Sequence, residues 1–311
     1  MSEPAVAPVE TDVPLLHAAR PRFRPWRDPW RKPRGLAGLT WLYLVWSIAP
    51  VAIAVLFSFN AGRSRSAWQG FSLRWYVGDP FLSVWHDPDL HTALFQTLRL
   101  AGITTLIAVP IGVAFAIGID RWRGRISSVF NFQMLLSFVL PELIIGVTLL
   151  FVISDLFTFI PLGTTAQLLG LVTFQMSYPV IIVRARLLSI GKEYEEAAMD
   201  LGASPVQALR RVLLPLLYPA IFASAVLVFA DVIDDFVIVR YLSSDASTEP
   251  MAVKIFNSAR SSPTPALNAL ASIMLVSSLI AVLAGFLVYR HLTRGERGKR
   301  DSVMSEVAVQ I

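Results

Sequence analysis

Residues 193–219 read EYEEAAMDLGASPVQALRRVLLPLLYP, a polar, charged insert between two long apolar runs. The stretch is too polar for a membrane core and too patterned for an irregular loop. Glu193, Glu195 and Glu196 gather where a short helix begins, and carboxylates suit the positive end of a helix macrodipole. Gly202 ends that helix, because glycine takes the left-handed cap without a steric penalty. Ser204 caps a second helix, with Pro205 in its first turn and Gln207 at the spacing of a capping box. Helical spacing puts Val206, Leu209 and Leu213 on one face beside Arg210 and Arg211, and Pro215 breaks the pattern before the next apolar run. Two readings fit this pattern: an ordinary cytoplasmic helical hairpin, or a knob that docks another protein.

Composition places the insert in a membrane protein. The chain has 311 residues, 55% of them hydrophobic and 16% charged, against about 25% charged in soluble domains. Six apolar runs near 36–59, 92–119, 129–154, 165–187, 216–241 and 265–290 are each long enough to cross a bilayer. Prolines at 50, 110, 141, 179 and 219 lie within or at the start of these runs, where neighbouring helices satisfy the freed carbonyls. With the N-terminus inside, the inner segments carry 20 Lys and Arg and the outer segments 6. That bias puts both termini and the 193–219 insert in the cytoplasm.

The expected organisation is a basic cytoplasmic tail over 1–35, a six-span domain over 36–292 with its hairpin at about 193–215, and a cytoplasmic tail over 293–311. The first tail interleaves Trp26 and Trp30 with arginines, which suits either an anionic lipid surface or a disordered segment. It is too long for a secretory leader, and no small-residue cleavage site follows the first apolar run. Nucleic acid is not an expected partner this close to a span. The first outer segment, 60–91, carries Trp68, Phe71, Trp75 and Tyr76, either an interfacial belt or a short amphipathic helix. The second, 242–264, is rich in Ser and Pro.

The run Glu196-Ala197-Ala198, then Gly202, then Leu214-Pro215, resembles the EAA signature of ABC importer permeases. Leu213 stands where that family often has isoleucine. The resemblance implies an all-α membrane protein, a six-span MetI-like permease bundle whose cytoplasmic coupling helices enter a cleft on an ATPase subunit. On it, Glu195, Glu196, Ala197, Ala198, Asp200, Gly202, Leu214 and Pro215 are the expected coupling residues.

Two apolar runs carry acids. Glu142 follows Pro141 in LSFVLPELIIGVTLL, and Asp231, Asp234 and Asp235 lie in VFADVIDDFVIV, where offsets of three and four put them on one helix face. Each ionised group at a span centre costs about 2.5–3.5 kcal/mol, so four lipid-facing acids would cost on the order of 10 kcal/mol. They must therefore face the bundle interior, a water path or one another. Either they pair with Arg99, Arg184 or Arg240 or hold protons, or they line a path for a cation. An acid-lined cavity attracts amines, and a diamine or triamine can bridge carboxylates on different helices.

LPELIIGVTLL, SYPVIIVRARL, IDDFVI and EEAAMDLGASPVQALRRVLLPLLYPAI also resemble the permease subunit of spermidine/putrescine ABC importers, over roughly residues 70–290. That resemblance implies polyamine passage past Glu142, Asp234, Asp235 and an aromatic of the first outer loop, matched here by Trp75. Asp231 joins the set on helical geometry alone. The implied partners are ATP-binding cassette ATPase subunits, a second homologous permease, an extracytoplasmic solute-binding protein and membrane lipid, in a bacterial inner membrane.

Other chemistries lack residues. The chain has no cysteine, and its four histidines include no pair at i, i+4. His86 with Asp87 and Asp89 fits a solvated loop better than a metal site. No serine has a nucleophile context, so no catalytic residue is expected. The chain contains no G-x-x-x-x-G-K-[ST], so ATP, the one implied cofactor, is expected on a partner. The competing classes are an ABC permease for a different solute, a proton-coupled secondary transporter using the buried acids, and a membrane anchor or receptor. The last two leave the hairpin or the acids without a role.

Overall fold

The computed structural model describes residues 34–64, 67–121, 124–261 and 264–309. The expected basic tail, with Trp26 and Trp30, lies outside the described residues apart from its last two positions. Two compact units are distinguished, one ending at Ala49 and one beginning at Pro50. The described part of the first is the start of helix α1 (Arg34–Ser58), and all else belongs to the second.

The second unit is helical throughout, and among the described residues no strand forms beyond a single bridge between Asn60 and Phe71. A chain segment in hydrocarbon must satisfy every backbone polar group internally, which a helix does and a lone strand does not. Helix α2 (Pro88–Arg121) is the central post. It packs against α5 (Thr164–Gln175), α6 (Ser177–Ile190) and α9 (Leu214–Asp234), and α12 (Pro265–Val309) lies on α9. Ala93, Ala101, Ala108, Gly112 and Ala116 form much of the buried stripe of α2, and such small residues let helix backbones approach closely in a bilayer. The approach is tightest at Gly112, where an added Cβ would stand 2.5 Å from Pro179 Cγ and 2.8 Å from the Met176 carbonyl.

Among the described residues, five helical stretches are long and apolar enough to cross a membrane: 35–58, 88–121, 164–190, 205–234 and 265–288. The apolar run 129–154 is different. It forms α3 (Arg125–Val139) and α4 (Glu142–Phe151), separated by extended backbone at Leu140 and Pro141. A proline pushes the residue before it out of the helical region and brings no N–H of its own, so the break falls where the sequence dictates. The run 216–241 also divides: α9 stops at Asp234, Asp235 is extended (ψ 124°), and α10 (Val237–Leu242) begins after Phe236.

Pro215 does the reverse of what its residue type suggests. Helix α8 (Pro205–Ala208), a widened π-helical turn over Leu209–Leu213 and α9 run on without a stop. The wide turn takes up the missing N–H and the bulk of the proline ring. It also shifts the register, so Leu213 is buried while Val206 is exposed, and the single apolar face expected for Val206, Leu209 and Leu213 does not form.

Buried amides fasten the outer end of the bundle. Gln96 Nε2 donates to Thr164 Oγ1 (2.8 Å) and to Gln167 Oε1 (2.9 Å). Gln167 Nε2 donates in turn to Ser243 Oγ and to the Thr248 carbonyl, both at 2.9 Å. Met251 N–H donates to Thr97 Oγ1 (2.8 Å) and opens α11 (Met251–Ser261), so this part of the Ser- and Pro-rich segment is a helix with a buried start.

Candidate functional site

The two chain breaks bring the acids together. Glu142 opens α4 immediately after the Pro141 break, and Asp235 occupies the extended residue between α9 and α10. Their carboxyl groups are in hydrogen-bonding contact. Asp235 is buried, and its Oδ1 also accepts the Val239 N–H (3.3 Å) near the start of α10, where the helix dipole favours an anion. α4 and α10 pack closely here: an added Cβ on Gly146 would lie 3.1 Å from the Tyr241 ring.

Asp231 completes the group from one turn lower on α9, close enough for its charge to act on Asp235. Its Oδ2 accepts from Gln175 Nε2 at 2.7 Å, and Tyr178 donates a hydrogen bond to it. Gln175 and Tyr178 stand on either side of the α5–α6 junction. Residues from three segments of the chain thus converge on one polar island.

Three of the five expected solute-path residues meet here, and two do not. Asp234 is exposed while its neighbour Asp235 is buried, because the helix ends between them and the face shared by all three aspartates is lost. Trp75 is fully buried in a π-helical turn over Arg74–Gly78. Its Nε1 donates to the Asn60 carbonyl (2.6 Å), so the ring fastens the outer segment and presents no face to a solute. Of the four aromatics expected in an interfacial belt or a short amphipathic helix over 60–91, Trp75 and Tyr76 lie in that turn, while Trp68 and Phe71 are exposed. Arg99 and Arg240 are exposed, and no ion pair among the described residues joins either to the acids. Gln175 and Tyr178 went unnoticed in the sequence. Their one signal was polarity inside VTFQMSYP, an otherwise apolar stretch.

The hairpin over 193–215 has the opposite character. α7 (Glu193–Asp200) carries its three glutamates in the first turn. Gly202 closes it at φ +90°, a left-handed conformation that glycine adopts freely, with Ala203 N–H donating to the Ala198 carbonyl (3.0 Å). Both halves of the capping box are present: Gln207 N–H donates to Ser204 Oγ (3.3 Å), and Ser204 N–H donates to Gln207 Oε1 (3.0 Å). Glu195 points inward and pairs with Arg121 at the inner end of α2, beside a cavity of about 180 Å³. Glu196, Ala197, Asp200 and Pro215 face out, and Ala198 and Leu214 are half-buried. Leu201 is 91% exposed, and Tyr194 and Val206 are exposed with it. Large apolar side chains on a polar hairpin are what a protein partner covers. Arg121 was unassigned in the sequence reading, where it counted only as an inner positive charge.

Known proteins place this architecture. Residues 108–298 match the family described as binding-protein-dependent transport system inner membrane component. The chain is 33% identical over 277 residues to the putrescine transport system permease protein PotI of Escherichia coli (strain K12), covering 87% of this chain and 93% of the relative. It is 32% identical over 249 residues to the spermidine/putrescine transport system permease protein PotC of the same strain, covering 80% and 91%. A crystal structure of a bacterial ABC transporter involved in the import of the acidic polysaccharide alginate superposes with a TM-score of 0.67 at 15% identity, over 84% of this chain and 96% of that one. That likeness establishes the fold alone. The match sets aside the secondary-transporter and anchor classes. The chain therefore belongs to the binding-protein-dependent transport system inner membrane component family: it is a multi-pass inner-membrane permease subunit of the ABC importer type.

Proposed function

We propose that this chain moves putrescine, spermidine or a similar small organic cation into the cytoplasm, driven by ATP bound and hydrolysed on a separate subunit. The observation that carries the solute class is the contact between the Glu142 and Asp235 carboxyls, with Asp231 beside them. Such a cluster repels anions and offers several acceptors to an ammonium group. Identity of 33% to a putrescine permease and 32% to a spermidine/putrescine permease supports the same class.

In the mechanism, an extracytoplasmic binding protein delivers the solute to the outer end, and a second homologous permease completes the pathway. ATP closes the partner ATPase dimer. The hairpin over 193–215 follows that motion through its exposed Leu201, Tyr194 and Val206. Glu195 and Arg121 pass it to α2. The solute is moved and not chemically changed. Both termini lie in the cytoplasm, as the positive-inside bias requires.

The test is uptake of labelled putrescine by the reconstituted complex, competed with spermidine, with monoamines and with anionic solutes. The reading expects competition by polyamines only. Competition by an anion, or none by either polyamine, contradicts it.

A further inference from the structure

Gln175 is fully buried, yet half of its amide has no partner. Its Nε2 donates to Asp231 at 2.7 Å, while its Oε1 is buried without a hydrogen bond. The amide orientation is fixed by that contact, since a carboxylate accepts and only the NH2 end can donate. The orphan oxygen therefore sits within one amide group's width of the Asp231 carboxylate. A buried acceptor without a donor is unfavourable, and native structures keep few of them.

We propose that Gln175 is a solute-contacting residue, whose Oε1 accepts a hydrogen bond from the ammonium group that Asp231 binds. This rests on the cationic-solute reading above. An ammonium carries three donors, and carboxylates alone do not fix where each one points. Asp231 supplies charge and Gln175 supplies a neutral, directional acceptor from a different helix. Tyr178 donates to Asp231 and holds the carboxylate in place. The acceptor meets the cation when the cluster opens during the transport cycle, and the hydrogen bond to Asp231 is the contact that yields.

The experiment measures putrescine uptake kinetics in the reconstituted complex for wild type, Gln175→Met, Asp231→Asn and the double variant. Complex yield and basal ATP hydrolysis report folding. Uptake of putrescine by the wild type is the control for the cationic-solute reading, and its absence sinks that reading and not this one alone. Gln175→Met is expected to raise KM about tenfold, the weight of one hydrogen bond to a charged group. A residue that only props Asp231 has no further effect once Asp231 is changed, whereas a solute ligand does. The proposal therefore expects Gln175→Met to raise KM again in the Asp231→Asn background. An unchanged KM in the wild-type background, or an effect that disappears in the double variant, overturns it. Should Asp231→Asn abolish uptake, the same cycle with Asp231→Glu gives the reading.

Discussion

The acid cluster and the hairpin over 193–215 are both polar intrusions into an apolar chain, and they are built in opposite ways. The hairpin is continuous in sequence, ordered by its own caps, and turns large apolar side chains outward. The cluster gathers Glu142, Gln175, Tyr178, Asp231 and Asp235 from three segments, and the helices carrying the Glu142–Asp235 pair are broken there. A surface meant for a protein is made locally, because a partner supplies the rest of the packing. A site for a small cation has to be enclosed, and enclosure needs several helices.

The contrast predicts different failures. The largest effect is expected from Glu142→Gln and Asp235→Asn. Each removes one carboxyl from the cluster that an ammonium would meet, and hydrogen bonds to charged groups contribute about 1.5–3 kcal/mol, so uptake falls about 10- to 100-fold. Basal ATP hydrolysis by the purified complex should stay unchanged, which is read in the same preparation.

Next in size, Gly202→Trp should uncouple the two activities. Gly202 sits at φ +90° with nothing within 4 Å of an added Cβ, so a side chain there enters open space on the hairpin surface. The backbone cost is about 1–2 kcal/mol. Size-exclusion chromatography should still show an assembled complex that hydrolyses ATP, while uptake falls about tenfold. Equal loss of hydrolysis and uptake would make the hairpin a mere structural brace.

A smaller effect is expected where the hairpin meets the bundle. Glu195→Ala leaves Arg121 without its carboxylate, and Arg121 is 37% exposed, so water recovers part of the loss. About 1–2 kcal/mol of stability should disappear, read as a lowered thermal midpoint. The swapped pair, Arg121→Glu with Glu195→Arg, should regain part of it.

The smallest effect lies in the outer segment, remote from both regions in function. Asp79 accepts from the Phe81 and Leu82 N–H groups and pairs with Arg74 (2.6 Å), and these contacts lower its pKa to about 2. A depressed carboxylate adds stability that is present above the ordinary pKa and lost as pH falls through about 2. Proteolysis of the outer segment should therefore hardly change between pH 7 and 5, and Asp79→Asn should increase it at both.

How much of this was legible in the sequence follows from the same contrast. The hairpin could be read residue by residue, because caps, glycine and capping box are local signals, and each is present. The apolar runs announced the helices, since the bilayer leaves a chain few alternatives. Pro215 misled, because a π-helical turn absorbed it and a period-3.6 reading has no place for a turn of another width. Helical offsets misjudged Asp234, since they assume a helix that in fact ends there. Gln175 and Tyr178 were out of reach, because their importance comes from which acid they face across two helices, and spacing along one chain segment carries no such information.

The most direct test follows uptake and ATP turnover together in proteoliposomes holding the wild-type complex, with labelled putrescine outside. The account predicts putrescine accumulation above the external concentration that needs ATP and stops with orthovanadate. Accumulation that follows an imposed proton gradient and ignores both ATP and orthovanadate would contradict it.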